Sequence, residues 1–288
     1  MEIPTWVDLG HGVLVRRSLA FAMNSVLLLD RDHTVAVDPG VLPSEILDLY
    51  KVTDAEGTAQ VTLAFTHAHW DHVLGRPWWP GAATIAHDRF AATVHRDAAR
   101  ILEEARNIAR EHDQTWDRGF TPFVPDQAVS GLHFTKIGQW RLVLRDAPGH
   151  SDSQLTIHVV DHGVLIAADM LSDEEPPILN GPSRPYLETL RGLEPLVRGG
   201  AISIVIPGHG SIARSRAAVV ARLEQDIAYL ETLETEVAKA RAEGLTLEAT
   251  QERLSPMRYP TRGISDAGLE EHLGNIGFVF AELAGAKA

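Results

Sequence analysis

The sequence predicts an α/β fold in which short strands and helices alternate, followed by a helical C-terminal stretch. Three observations carry that prediction. Strand-like runs bounded by turn residues recur between Gly12 and Ile206, helically spaced apolar positions intervene, and from about Arg214 only helical periodicity remains. Adjacent hairpins near the start argue against a simple parallel sheet of βαβ units.

Gly12 to Ala20, Ser25 to Leu29 and Thr34 to Val37 read as consecutive strands, the last two joined through the turn Asp30-Arg31-Asp32-His33. Asp38-Pro39-Gly40 closes the third. Ile46, Leu47 and Leu49 suit a short helix, and Val61 to Phe65 is an apolar run that reads as a buried strand. Arg76 to Gly81, rich in Pro and Trp, is loop, and Thr84 to Ala86 is a short strand. Asp88 to about His112 reads as one helix with Phe90, Val94, Ile101 and Ile108 on its apolar side, longer than the usual globular helix and placed as a covering insertion. Leu132 to Ile137 with Trp140 to Arg145, and Gln154 to Val160 with Val164 to Ala168, form two further hairpins. A helix from about Pro185 to Arg198 precedes the strand Ile202 to Ile206. Beyond it, Val220, Leu223, Ile227, Leu230, Leu233 and Val237 mark one face of a helix to about Ala242. That face either docks on its own domain or forms a homodimer seam. Leu245 to Leu254 and Asp266 to Leu283 complete the helical tail.

Composition narrows the function classes. The 288 residues are 44% hydrophobic and 23% charged, an ordinary globular balance with material for a large core. With 39 acidic against 26 basic residues the formal charge is −13, and no Lys/Arg stripe appears, which disfavours a nucleic-acid partner. There is no cysteine, so disulfides and thiolate metal sites are excluded and His and carboxylates are the only strong ligands. Arg16-Arg17-Ser18-Leu19-Ala20-Phe21 superficially resembles an export signal, but the run is interrupted by Asn24 and reads as strand. No apolar run is long enough for a membrane span, and the expected compartment is the cytoplasm.

Chemistry concentrates at Thr66-His67-Ala68-His69-Trp70-Asp71-His72, directly after the buried run. If the strand continues to His69, then His67 and His69 share a face, because strand side chains alternate. A carboxylate and a third imidazole follow on the turn. Burying that many polar groups without a shared partner is costly, whereas a divalent ion satisfies them together. Three other predicted strands also end at a His or Asp in a turn: at His150, Asp169 and His209. Binding groups on loops held by a rigid scaffold are a common way of building a site.

Taken together, His67-x-His69-x-Asp71-His72, His150, Asp169 and His209 resemble the metallo-β-lactamase superfamily, over roughly residues 12 to 212. Asp38, in Val37-Asp38-Pro39-Gly40, matches the acidic residue the family places before that strand. The resemblance implies a four-layer αββα sandwich, with residues 1–213 as the catalytic domain, a helical insertion at about 88–112, and 214–288 as an extension packed on the same domain. It also implies two divalent ions, zinc expected and iron or manganese the alternatives. By position, His67, His69 and His150 would hold the first ion, Asp71, His72 and His209 the second, and Asp169 would bridge them. Asp71 and Asp169 would be the catalytic carboxylates beside a hydroxide shared by the ions. Asp38 would orient a ligand or fix the turn.

The activity so implied is hydrolysis of a small ester, thioester or lactone without a protein nucleophile. No G-x-S-x-G elbow is present, in agreement. His69 stands where flavodiiron-type members usually carry Glu, and Asp169 where dinuclear β-lactamases carry Cys or Ser. Asp169-Met170-Leu171-Ser172 lacks the nearby Tyr of acyl-homoserine lactonases, while His69-Trp70-Asp71-His72 resembles the glyoxalase II-like thioesterase branch. The alternatives are an iron-dependent oxidoreductase resembling persulfide dioxygenases, a phosphodiesterase, and a metal-binding protein without catalysis. For the substrate pocket the candidates are Trp70, Arg258 and Tyr259, with Arg262 nearby, each weighed against plain packing or a solvated loop. Trp78 and Trp79 carry the same two readings. His87, His95, His112, His133, His158, His162 and His272 read as surface or core residues.

Overall fold

A computed structural model of the chain describes residues 5–257 and 266–285. The chain divides into two compact units: Met1–Asp146 with Ser153–Ala168, and Ala147–Asp152 with Asp169–Ala288.

In the first unit, β1 (Trp6–Asp8), β2 (Val13–Arg17), β3 (Asn24–Leu28) and β4 (His33–Val37) form an antiparallel run. Three strands then extend the sheet in parallel: β5 (Gln60–Ala64), β6 (Ala83–His87) and β7 (Gln127–Val129). The sheet is therefore mixed, in the order β1 to β7. Every residue of β3 is buried, which suits its apolar run. Between β4 and β5 lies α1 (Pro43–Ala55), begun by Pro43, whose missing N–H costs nothing in the first turn. Glu45 accepts the Leu42 N–H at 3.4 Å there.

The helix expected over 88–112 is two helices, α2 (Phe90–Arg96) and α3 (Ala98–Glu111). Asp97 accepts the Arg96 guanidinium and its backbone closes one helix and opens the next. The break costs a single residue, so the apolar phase from Phe90 to Ile108 passes through it undisturbed. Both helices contribute to the unit's core, with Phe90, Val94, Ile101 and Ala105 fully buried. The unit's second sheet is an antiparallel meander of β8 (Leu132–Ile137), β9 (Trp140–Asp146), β10 (Leu155–Val159) and β11 (Val164–Ile166). Trp140, Leu142 and Leu144 alternate inward along β9.

The second unit contains α4 (Ser183–Arg198), the short β12 (Ile204–Ile206), α5 (Arg216–Ala242), α6 (Leu247–Leu254) and α7 (Asp266–Leu283). Ser215 caps α5 by accepting the Ala218 N–H, and Thr246 caps α6 by accepting that of Ala249. The apolar face of α5 is buried within the chain, with Leu223, Leu230, Leu233 and Val237 nearly inaccessible. The buried stripe is rotated from the one read in the sequence: Val220 and Ile227 are only half-buried, while Arg222, Asp226 and Tyr229 lie inside. Among the described residues no helix is long and apolar enough to cross a membrane.

Candidate metal centre

The strand after α1 stops at Ala64, so His67 and His69 lie past it on a loop and not on one strand face as expected. The same set-back recurs throughout. Asp169 follows the end of β11 by three residues, His209 that of β12 by three, and His150 that of β9 by four. His67, His69, His150, Asp169 and His209 are thus carried on loop backbone, Asp71 and His72 on the single 3-10 turn Trp70–His72, and all of them need support from elsewhere.

In the first unit that support comes from Asp38, which is 2% exposed and has φ of +44°. Its Oδ1 accepts the Thr66 N–H at 2.8 Å, and its Oδ2 accepts the Thr66 hydroxyl at 2.6 Å and His72 Nδ1 at 2.9 Å. A carboxylate accepts only, so His72 carries its proton on Nδ1 and presents Nε2 as a ligand atom. The Thr66 hydroxyl spends its one hydrogen on Asp38, so its contact with His67 Nδ1 at 3.1 Å is donated by the imidazole. His67 likewise presents Nε2. The fully buried rings of His67 and His72 lie 4.1 Å apart between centroids, and His69 stands edge-on to His67 at 4.5 Å. Asp71 Oδ2 is 3.6 Å from His72 Nε2. Leu155 N–H bonds the Thr66 carbonyl at 2.7 Å, and Gly75 lies so close to Pro39 that a Cβ there would meet the Pro39 carbonyl oxygen at 2.4 Å.

The second unit holds the other three candidates. His150 Nδ1 donates to the Ile178 carbonyl at 3.1 Å, which leaves Nε2 forward, 3.2 Å from Asp169 Oδ2. His209 Nε2 is 3.5 Å from the same oxygen. All three residues are buried, at 5%, 9% and 8% exposure for His150, Asp169 and His209. Asp169 is flanked by Ala168 and Leu171 at φ of +51° and +58°, a bent path that side chains of α5 hold. Asp226 accepts the Leu171 N–H at 3.1 Å, and Arg222 donates to the Leu171 carbonyl at 3.1 Å and to the Ser211 carbonyl at 2.6 Å. Asp173 pairs with Arg222 at 3.0 Å and accepts the Ser211 N–H at 2.6 Å. One buried arginine therefore ties the Asp169 loop to the His209 loop. Gly149, at φ of +135°, admits Tyr186 where a Cβ would come within 2.4 Å, and the Tyr186 hydroxyl donates to the Asp169 carbonyl.

The donor chemistry fits a divalent cation. Neutral imidazoles with one ring nitrogen tied to a carboxylate, hydroxyl or carbonyl and the other facing forward are the usual ligand arrangement for zinc-type ions. His67, His69, Asp71 and His72 lie in the first unit, and His150, Asp169 and His209 in the second. Arg258, Tyr259 and Arg262 lie outside the described residues. Trp70 is half-buried against the core, and its ring meets the edge of Phe21 at 6.0 Å. Trp79 is a core residue, bonded through its indole to Thr53 Oγ1 at 3.2 Å. Thr66, Arg222, Asp226 and the Ile178 carbonyl were not legible as site residues. The only signal for the α5 pair was polar residues falling on an apolar helical phase.

The chain matches the family model described as the metallo-β-lactamase superfamily over residues 20–230. It is 26% identical over 167 residues to the acyl-coenzyme A thioesterase MBLAC2 of Gallus gallus, covering 54% of this chain and 58% of that protein. Among solved structures it resembles the stereoselective inverting sec-alkylsulfatase Pisa1 from Pseudomonas sp., at a TM-score of 0.76 and 15% identity over 97% of this chain. That likeness spans 50% of the alkylsulfatase. A β-lactamase domain protein from Burkholderia ambifaria matches at a TM-score of 0.70 and 21% identity, over 97% of this chain and 88% of its own. These likenesses show an α/β sandwich, two mixed or antiparallel sheets flanked by helices and followed by a helical C-terminal stretch. The chain belongs to the metallo-β-lactamase superfamily.

Proposed function

We propose that this chain hydrolyses small thioesters, esters or lactones at a binuclear centre, with thioesters the leading class. The observation that carries the reading is Asp169, whose Oδ2 stands between the forward nitrogens of His150 and His209 at 3.2 and 3.5 Å. A carboxylate oxygen set between two imidazoles belonging to different ligand triplets is what a shared ligand requires. His67, His69 and His150 would hold one ion, Asp71, His72 and His209 the other, and zinc suits this nitrogen-rich, thiolate-free set. Bound divalent ions supply Lewis acidity toward a carbonyl oxygen and a water acidified to a nucleophile near neutral pH.

The protein's own contribution is orientation and substrate contact. Asp38 and Thr66 lock the rings of His72 and His67, and the Ile178 carbonyl locks that of His150. Beside the ligand segment, Leu19 and Phe21 are 66% and 56% exposed, and Phe21 touches Trp70, which separates His69 from Asp71. This apolar lip suits the acyl part of a substrate, as does the likeness to an acyl-coenzyme A thioesterase. The formal charge of −13 favours a small-molecule substrate over a nucleic acid.

Elemental analysis of freshly purified full-length protein should find about two divalent ions per chain, as two-metal sites hold. A panel of thioesters, aryl esters and lactones on that protein should then show hydrolysis that chelation abolishes. Protein without stoichiometric metal, in which added zinc or manganese elicits no hydrolysis, overturns the proposal. Stoichiometric iron with oxygen consumption on a persulfide would replace it with the oxidoreductase reading.

A further inference from the structure

The helices beyond Arg214 include α7, and its inner face carries a buried polar network in which the chemistry of the partners fixes the donors. His272 Nε2 contacts the Leu254 carbonyl at 3.0 Å, and a carbonyl only accepts, so that nitrogen carries the proton. His272 Nδ1 is then an acceptor, and the Tyr229 hydroxyl donates to it at 2.8 Å. Burial pushes the Tyr229 hydroxyl well above the usual phenol range, which keeps that hydrogen in place. With its hydrogen committed, Tyr229 Oη can only accept from Asn275 Nδ2, at 3.0 Å. The second Nδ2 hydrogen of Asn275 goes to the Pro177 carbonyl at 2.6 Å, and its Oδ1 accepts the Leu179 N–H at 2.8 Å. His272, Tyr229 and Asn275 are 0%, 2% and 1% exposed.

Asn275 thus grips both sides of Ile178, whose carbonyl receives His150 Nδ1. The strap is closed from the other end by the Asn180 N–H on the Gly149 carbonyl at 3.1 Å, one residue before His150. The Asn275 carboxamide accepts from Leu179 through its oxygen while its nitrogen donates to Pro177 and Tyr229, which neither a carboxylate nor Leu can do.

We propose that α7 is a positioning element for the metal centre: through Asn275 it fixes the strap Pro177-Ile178-Leu179, and through the Ile178 carbonyl it sets the ring of His150. The proposal rests on the reading of His150 as a metal ligand. It gives the C-terminal helices a role in metal affinity beyond packing.

The test uses full-length protein loaded with Co(II), followed by chelator competition for affinity and by visible absorption for ligand geometry. Wild type and His150→Ala come first. If wild type binds no Co(II) tightly, or His150→Ala binds like wild type, the ligand reading itself fails, whatever Asn275 does. With that reading intact, Asn275→Leu should weaken binding of one ion about tenfold, the scale of losing support behind a ligand, and shift the absorption bands. Val279→Ala, an equally buried α7 change away from the strap, should lower Tm and leave affinity and spectrum unchanged. An Asn275→Leu protein with lowered Tm but wild-type affinity and spectrum overturns the proposal. Should Asn275→Leu not fold, Tyr229→Phe decides. It frees one hydrogen of Asn275 and should produce a smaller loss of affinity in the same direction, and unchanged affinity and spectrum overturn the proposal equally.

Discussion

At Asp38 the backbone turns at φ +44° while the carboxylate takes three hydrogen bonds, two from Thr66 and one from His72. Replacing it by Asn keeps the shape but turns one acceptor into a donor facing the Thr66 hydroxyl and His72 Nδ1. The tautomer of His72 then loses its cause, and Nε2 no longer has reason to be the lone-pair nitrogen. Asp38→Asn should weaken metal binding by about 10- to 100-fold. Competition with a chromophoric chelator measures this, and wild-type affinity in the variant would refute the role given to Asp38. Of the groups at this scale, the histidines and aspartates were legible because their ligand chemistry is written in residue type. Asp38 was legible too, through its resemblance to a known pattern. Thr66 was not, because a threonine beside a strand end has many ordinary uses, and only the geometry shows where its single hydrogen goes.

Among the elements, α5 differs most from its sequence reading. Val220 and Ile227 belong to the expected stripe, yet the buried face includes Arg222 and Asp226, which hold both backbone groups of Leu171. Charged residues in a helix are normally read as solvent-facing, so the pattern alone points the wrong way here. Arg222→Leu removes the ion-pair partner of Asp173 and the donor to the Leu171 and Ser211 carbonyls. It should destabilise the fold by about 2 kcal/mol, on the scale of leaving hydrogen-bonding groups at a largely buried site without their donor. Urea unfolding of the metal-free protein checks this, and a loss below about 0.5 kcal/mol, the range of surface substitutions, would show that Arg222 is not the tie described. The division of residues 88–112 into α2 and α3 escaped the sequence for a different reason. Its one-residue break at Asp97 leaves the apolar repeat in phase.

For the molecule as a whole, the resemblance read over residues 12 to 212 and the family match over 20–230 cover nearly the same chain. Strand order, mixed pairing and the grouping into two units were beyond the sequence, because they depend on contacts between distant segments. The proposed ligands run from His67 to His209 along the chain, so ions bound there would act on folding as well as on chemistry. Ligand bound at a thousand times its dissociation constant stabilises the native state by about 4 kcal/mol. Stripping metal should therefore lower Tm by several degrees, and adding zinc back should restore it. Calorimetry showing the same Tm with and without metal would sink the idea that these ligands bind ions in the native state. With a formal charge of −13, the metal-free chain also carries more self-repulsion than the loaded one.

The bonds that shape the Asp169 and His209 loops fall on main-chain groups: both polar atoms of Leu171, and the amide and carbonyl of Ser211. None depends on the carboxylate of Asp169 or the imidazole of His209 for its existence. A scaffold that grips the chain beside a ligand, and not the ligand itself, separates where a donor stands from which donor it is. The address is set by one group of residues and the occupant by another, so changing a single codon can exchange an oxygen donor for a softer one while the path of the loop persists.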